Sequence, residues 1–336
     1  MKRSTARGRR KAKAHKTKTR AVAERPARRT AFLLGGAVLA AIAITMAVLL
    51  WRHEQLEVPS FDEQRAYSYL VKQCEFGPRV PGSAAHQACR QYLVEELRKH
   101  ASTVAQQPFE HHVQRLQRTV SFTNLIAVFK PEAGRRILLG AHWDSRPWAD
   151  RDPDSSKHAE PVLGANDGAS GVAVLLEVAR VLAAQPPPVG VDLILFDGED
   201  CGDSGLPRSF AAGAQHFASQ RHAQYQPAFG MLLDMVGDQD LQIYQESYSL
   251  RYAGTTVEKL WDYARRLELP AFIPAPGYEI FDDHVPFLEA GIPVVNIIDF
   301  NYPYWHTTSD SPDKCSPASL GQVGKLVLAA IYNPQF

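Results

Sequence analysis

Five short segments of this chain carry residue types that bind a metal or move a proton: AHWD at 141–144, GANDGASG at 164–171, GED at 198–200, LLDMVGD at 232–238 and WHT at 305–307. Carboxylate oxygens and imidazole nitrogens in a small set, with one coordination position left open, are the donors of a catalytic zinc ion. Asp167, Asp200 and His306 would supply three protein ligands. Glu199 stands beside a ligand but is chemically free, which suits it to shuttle a proton at the open position. A lone Glu-Asp pair reads as a solvated acidic turn, and each of the other segments alone reads as a surface group or a cap. Five of them, each at the end of a strand-like run, point to one site.

The elements that must position these residues are legible as periodicity. Residues 191–200, VDLILFDGED, open as an apolar run suited to a strand buried on both faces and break at Asp197-Gly198. Helical spacing covers 61–74 and 84–99, with Pro81-Gly82-Ser83 as turn and cap between them. Strand patterns follow at 104–113, 120–129 and 135–140, then a helix at 170–184 that stops before Pro186. Strand and helix alternate afterwards through 229–234, 241–245, 255–267, 286–290, 293–298 and 320–332. This alternation predicts an α/β sandwich around a mostly parallel sheet, where sites form at the carboxyl ends of strands.

The 336 residues, 45% hydrophobic and 22% charged, are enough for one large domain with a sizeable core. The net charge of +1 hides an asymmetry: residues 1–30 hold 13 Lys or Arg against the single acid Glu24, so the remainder is strongly acidic. Residues 31–51, AFLLGGAVLAAIAITMAVLLW, contain no charge and are long enough to span a bilayer. The expected organisation is a basic cytoplasmic tail (1–30), a transmembrane helix (31–51), a linker (52–59) and a catalytic domain (60–336) outside the cytoplasm. Beside an apolar span, the basic block reads as a topology signal and a contact for anionic lipid rather than for nucleic acid. Cys74, Cys89, Cys201 and Cys315 have no Cys-x-x-Cys spacing, which suggests neither a zinc ribbon nor a disulfide-dense scaffold and leaves room for one disulfide.

On His142-x-Asp144, Asp167 in GANDGASGV, Glu199-Asp200, Asp234 and His306, the chain resembles the M28 family of zinc aminopeptidases and, within it, the glutaminyl-peptide cyclotransferases. The resemblance runs from about Phe61 onward. It implies a three-layer α/β/α sandwich with a mixed, mostly parallel central sheet, zinc on Asp167, Asp200 and His306, and Glu199 as the acid/base. His142 and Asp234 match positions that hold a second zinc in the peptidases, whereas cyclases use one. Phe281-Asp282-Asp283-His284 looks like the cyclase Asp-Asp-His, and Trp305 matches an indole that walls the cyclase pocket. The metal carboxylate Asp200 departs from the Glu of animal cyclases, and the insertion at 145–161 looks bacterial, which implies the periplasmic side of an inner membrane.

The expected activity is cyclisation of an N-terminal Gln on peptides or proteins with loss of ammonia; the alternative is a two-zinc aminopeptidase. Glu199, Asp282 and Asp234 are the expected catalytic carboxyls, joined by a shared-proton hydrogen-bond network. Trp305, Trp143 and His142 are the expected pocket residues.

Overall fold

The computed structural model describes Leu56 and residues 58–333. The basic block and the expected membrane span at 31–51 lie outside the described residues. Among those that are described, no helix is long and apolar enough to cross a membrane.

Helices α1 (Glu63–Glu75) and α2 (Ala84–Arg98) open the domain. Each starts on a side-chain cap: Asp62 accepts from Arg65 N and Ser83 from His86 N, satisfying backbone donors that the first turn leaves unpaired. The long strands β1 (Thr103–Val113) and β2 (Arg118–Phe129) pair antiparallel, and β3 (Arg136–His142) follows. Helix α3 (Ala169–Ala184) leads to β4 (Gly190–Phe196), helix α4 (Ala212–Gln220) to β5 (Phe229–Asp234). The remainder is β6 (Ile243–Gln245), α5 (Ser247–Arg266), β7 (Phe272–Pro276), α6 (Val285–Glu289), β8 (Val294–Ile298) and α7 (Pro317–Tyr332).

Six strands form the central sheet in the order β1-β2-β4-β3-β5-β8. β2 runs antiparallel to β4, while β4, β3, β5 and β8 are mutually parallel, giving the mixed, mostly parallel sheet expected. Every residue of β4 is buried, as its mostly apolar run suits; its one charged residue, Asp192, is paired with Arg136. Alternate side chains feed two cores. Leu139, Leu193, Met231 and Val295 join the larger one with α1, α2, α3, α5 and α7; Leu138, Ile194, Leu232 and Val294 join the smaller one with α4 and α6. A second sheet pairs β6 with β7 in parallel.

Boundaries and two elements differ from the sequence reading. β3 runs through His142 instead of stopping at Gly140, because Ala141 and His142 stay in register with Leu195 and Phe196 of β4. α5 begins at Ser247, eight residues earlier than its periodicity suggested, because Glu246 caps it by accepting from Tyr248 N and Ser249 N. α4 and β7 went unanticipated. The four cysteines are free and buried, so none pairs in a disulfide.

Candidate metal centre and active site

The carboxyl ends of the four parallel strands meet at one place. β3 delivers His142, β4 leads into Glu199-Asp200, β5 ends on Asp234, and β8 leads into the loop that carries His306. Asp167 arrives from the loop ahead of α3. That loop is tight: Gly168 has φ +97°, and a Cβ there would meet the Asp144 carbonyl oxygen at 2.5 Å and His142 Cε1 at 3.0 Å. Asp310 fixes the same loop from outside, accepting from Asn166 N (2.9 Å), Asp167 N (3.1 Å) and Tyr302 Oη (2.7 Å). Asp144 does the corresponding work at β4, accepting from Glu199 N and Asp200 N, both at 3.2 Å.

Two clusters result, and they share Asp167. In the first, ligand-type atoms of Asp167, Asp200 and His306 converge; in the second, those of His142, Asp167 and Asp234 do so. His306 Nε2 is 3.1 Å from Asp200 Oδ1 and 3.7 Å from Asp167 Oδ2. All five side chains are buried. Asp167 Oδ2 and Asp200 Oδ2 have no hydrogen-bond partner among the described residues. Buried carboxylate oxygens left bare are costly in a protein of this kind unless a cation satisfies them, so the first cluster fits a bound metal. The three ligands expected from sequence are therefore brought together.

Burial drives the Asp167 carboxyl up to about 7, with the neighbouring Asp200 charge adding to it. Burial opposes charge on Asp200 too, but His306 and Arg146 outweigh it and hold that carboxyl below its ordinary value. Burial also works against an imidazolium at His142. The carboxylates of Asp144, Asp167 and Asp234 reverse the balance and raise it well above an ordinary histidine. Glu199 is pushed well above the carboxylate range, first by burial and then by the charges of Asp282 and Asp200, with His142 opposing.

Above this floor opens a pocket of about 200 Å³, lined by Glu199, Asp234 and Asp282 below and by Ile280, Phe300 and Trp305 at its walls. Trp305 lies against His306, ring centroids 3.9 Å apart, and against Phe300 at 5.0 Å. Its expected place as a wall is where the structure puts it.

Two expected pocket residues lie elsewhere. Trp143 is fully buried, stacks on His86 at 4.2 Å and donates from Nε1 to the Thr123 carbonyl at 3.2 Å. Successive residues at a strand end face opposite ways, so while His142 faces the metal-type cluster Trp143 faces α2. His142 is likewise buried beneath the floor, its Nε2 3.1 Å from both Asp167 Oδ1 and Asp234 Oδ1, and does not line the pocket.

The expected hydrogen-bond network among Glu199, Asp282 and Asp234 is also revised. No hydrogen bond joins Glu199 to either carboxyl among the described residues. Asp282 Oδ2 instead accepts from Asn296 Nδ2 at 2.7 Å, and Asp234 Oδ1 pairs with His142. The coupling of Asp282 to Glu199 is through charge.

Sequence reasoning missed Arg79, Asn296, Asp310 and the pair Arg146 and Asp150. Arg79 is fully buried and donates to the carbonyls of Trp143, Leu163 and Gly164, tying the β3 end to the Asp167 loop. No local pattern marks what these residues do, because the site atoms they hold are distant in sequence.

Comparison with known proteins gives one answer at family level. The family described as Peptidase family M28 matches residues 124–331. The glutaminyl-peptide cyclotransferase of Drosophila melanogaster is 29% identical over 265 residues, 70% of this chain and 71% of that protein. The glutaminyl cyclase of Bacteroides thetaiotaomicron, solved bound to N-acetylhistamine, superposes with a TM-score of 0.80 at 39% identity, covering 82% of this chain and 99% of that one. A Zn-dependent exopeptidase from Parabacteroides distasonis does so with a TM-score of 0.80 at 40% identity, covering 82% and 100%.

Proposed function

The chain belongs to peptidase family M28, and from that premise we propose that it acts as a glutaminyl-peptide cyclotransferase, converting an N-terminal glutamine of peptides or proteins to pyroglutamate with release of ammonia. The observation that carries this reading is the pocket floor. Asp282 and Glu199 stand there together, buried, outside the Asp167-Asp200-His306 ligand set and under an aromatic wall.

In an N-terminal glutamine the α-amine reaches its own γ-carboxamide carbon, so ring closure needs geometry and a proton carrier but no external nucleophile. A pocket of about 200 Å³ suits a single side chain and its amine, and the Trp305 and Phe300 rings form an apolar wall beside it. The new C–N bond forms to the amine, the bond to the amide nitrogen breaks, and one proton must pass from the first nitrogen to the second. Glu199, with its affinity for protons raised by burial, takes that proton from the amine and returns it to the departing ammonia. Asp282 keeps the Glu199 carboxyl basic by its charge and is itself held by Asn296. Asp167, Asp200 and His306 would hold zinc, which supplies polarisation of the γ-carbonyl when bound.

One zinc per chain is the reading the floor favours. His142 Nε2 lies 3.1 Å from both Asp167 Oδ1 and Asp234 Oδ1, so the imidazole itself bridges the two carboxylates that a second metal would join. The uncharged span at 31–51 behind a basic block supports a membrane-tethered enzyme whose catalytic domain faces out of the cytoplasm. Added protease should reach the domain on spheroplasts; protection until lysis would reverse that orientation.

The deciding experiment incubates the purified protein with a Gln-initiated peptide, follows ammonia loss by mass spectrometry and counts zinc by elemental analysis. Release of free N-terminal residues from ordinary peptides, no ammonia from Gln peptides and two tightly held zincs would establish the aminopeptidase instead.

A further inference from the structure

Two of the three ligands in the first cluster come from different elements, Asp200 from the end of β4 and His306 from the loop after β8. A single piece of chain touches both. Arg146 is fully buried and each of its three nitrogens donates. Its Nε and Nη2 grip Asp150 as a fork, both at 2.8 Å, while Nη1 donates to Asp200 Oδ1 (3.1 Å), to the Asp200 carbonyl (3.0 Å) and to the Gly202 carbonyl (3.3 Å). The far side of Asp150 faces His306, with Oδ1 3.6 Å from Nδ1.

The same segment holds the His306 backbone. Arg151 N donates to the His306 carbonyl at 3.1 Å, and Asp152 Oδ2 accepts from Thr308 N (2.9 Å) and Thr308 Oγ1 (2.6 Å). His306 needs such support, since its φ of +56° is a left-handed conformation that a non-glycine residue keeps only when its surroundings impose it.

We propose that Arg146 and Asp150 are positioning residues forming one strut, which builds Asp200 and His306 into a half-site for zinc before the metal arrives. Arg146 occupies Asp200 Oδ1 and leaves Oδ2, the oxygen without a partner, for the metal. Asp150 Oδ1, 3.6 Å from Nδ1 and beyond direct hydrogen-bond reach, sets its negative charge on that side of the ring, which favours the proton at Nδ1 and leaves the Nε2 lone pair toward Asp200 and Asp167. A lysine cannot replace Arg146, because one ammonium point charge lacks the planar fork that reaches both carboxylates. The inference rests on reading Asp200 and His306 as ligands.

The test uses the metal-free full chain and Zn2+ alone, titrated against a chromophoric chelator. Asp150→Asn, Arg146→Lys and their double variant are compared with His306→Ala, which checks the ligand reading separately. Each single variant should retain the near-UV circular dichroism of the metal-free wild type yet bind zinc about 10- to 100-fold more weakly. The double variant should lose little beyond the worse single one, since the two act as a unit. The visible spectrum of the Co2+-loaded Asp150→Asn protein should shift as ligand geometry relaxes. Zinc held by Asp150→Asn as tightly as by wild type, with His306→Ala weakened, overturns the strut alone; zinc unaffected by His306→Ala overturns the ligand reading with it. Should Arg146→Lys not fold, Asp150→Asn decides, its side chain being 16% exposed against 0% for Arg146.

Discussion

Glu199 and Asp200 are adjacent in sequence and opposite in electrostatic character. Burial tends to neutralise both, but His306 and Arg146 keep Asp200 ionised, whereas Asp282 and Asp200 push Glu199 toward the protonated form. A strand end that turns one side chain to the metal cluster and the next to the pocket thus suits one carboxyl to the proposed role of ligand and the other to that of acid/base. Glu199→Gln should lower cyclisation by about 10² to 10⁴-fold, the contribution of a positioned acid/base, while zinc content stays at the wild-type level. Loss of zinc along with activity would mean that Glu199 is a ligand. Asp282→Asn keeps the shape and removes a charge, so it should slow turnover about 10²-fold with substrate KM little changed; a pure KM effect would make Asp282 a binding group.

At this scale the sequence was informative where residue type alone implies chemistry. Asp167, Glu199, Asp200, Asp234 and His306 were legible because metal-binding and proton-carrying types recur beside the ends of strand-like runs, and Asp282 through the family resemblance of its Asp-Asp-His segment. Trp143 was misread because its type suits a pocket wall, and only the facing of the β3 end shows that it belongs to the core. Arg146, Asp150 and Asp310 were not legible, since what they do depends on which distant atoms the fold brings to them.

At the scale of elements, α3 sits unusually close to the sheet. A Cβ on Gly171 would overlap the Leu233 carbonyl oxygen on β5 and approach Ala141 Cβ to 3.0 Å. The absence of a side chain there lets the helix start lie on β3 and β5, so that the Asp167 loop reaches the strand ends. Gly171→Ala should therefore destabilise the domain by about 1–3 kcal/mol through overpacking, read as a lower urea midpoint with an unchanged slope. A neutral result would show that α3 can slide without consequence. Strands with mostly apolar runs, such as β4, were clear in sequence because burial on both faces tolerates a polar residue only where it is paired, as Asp192 is with Arg136. α4 was not, since AGAQHFASQ is short and weakly patterned, and its place is set by packing beneath β2 and β4.

For the whole molecule, the concentration of buried carboxyls ties folding, pH and metal together. Burial pushes Asp167 up to about 7, with Asp200 adding to it, and Asp282 to about 6, with Asp234 adding to it. Burial, with the charges of Asp238 and Asp240 adding to it, raises Asp299, away from the clusters, to about 6. Unfolded, each would titrate near ~3.9. A carboxyl whose folded value is raised binds its proton more tightly in the native state, so its stabilising contribution is complete below about pH 4 and is lost as pH climbs to between about 6 and 7. His142 and His306 are also raised, burial being outweighed by their carboxylates, and their contribution likewise fades as pH rises through their folded values. Both sets carry the same sign, so the metal-free protein should weaken from about pH 5 to about pH 8. Zinc acts in the opposite sense. Its ligands must give up protons to bind it, so affinity grows with pH and the metal stabilises the native state by mass action. The gap between the melting temperatures of zinc-loaded and chelator-treated protein should therefore widen steadily from about pH 5 to about pH 8. Circular dichroism melts at four pH values suffice to measure it. A gap that stays constant would show that Asp167 is already ionised without the metal, and would remove the raised carboxyl from the account of this site.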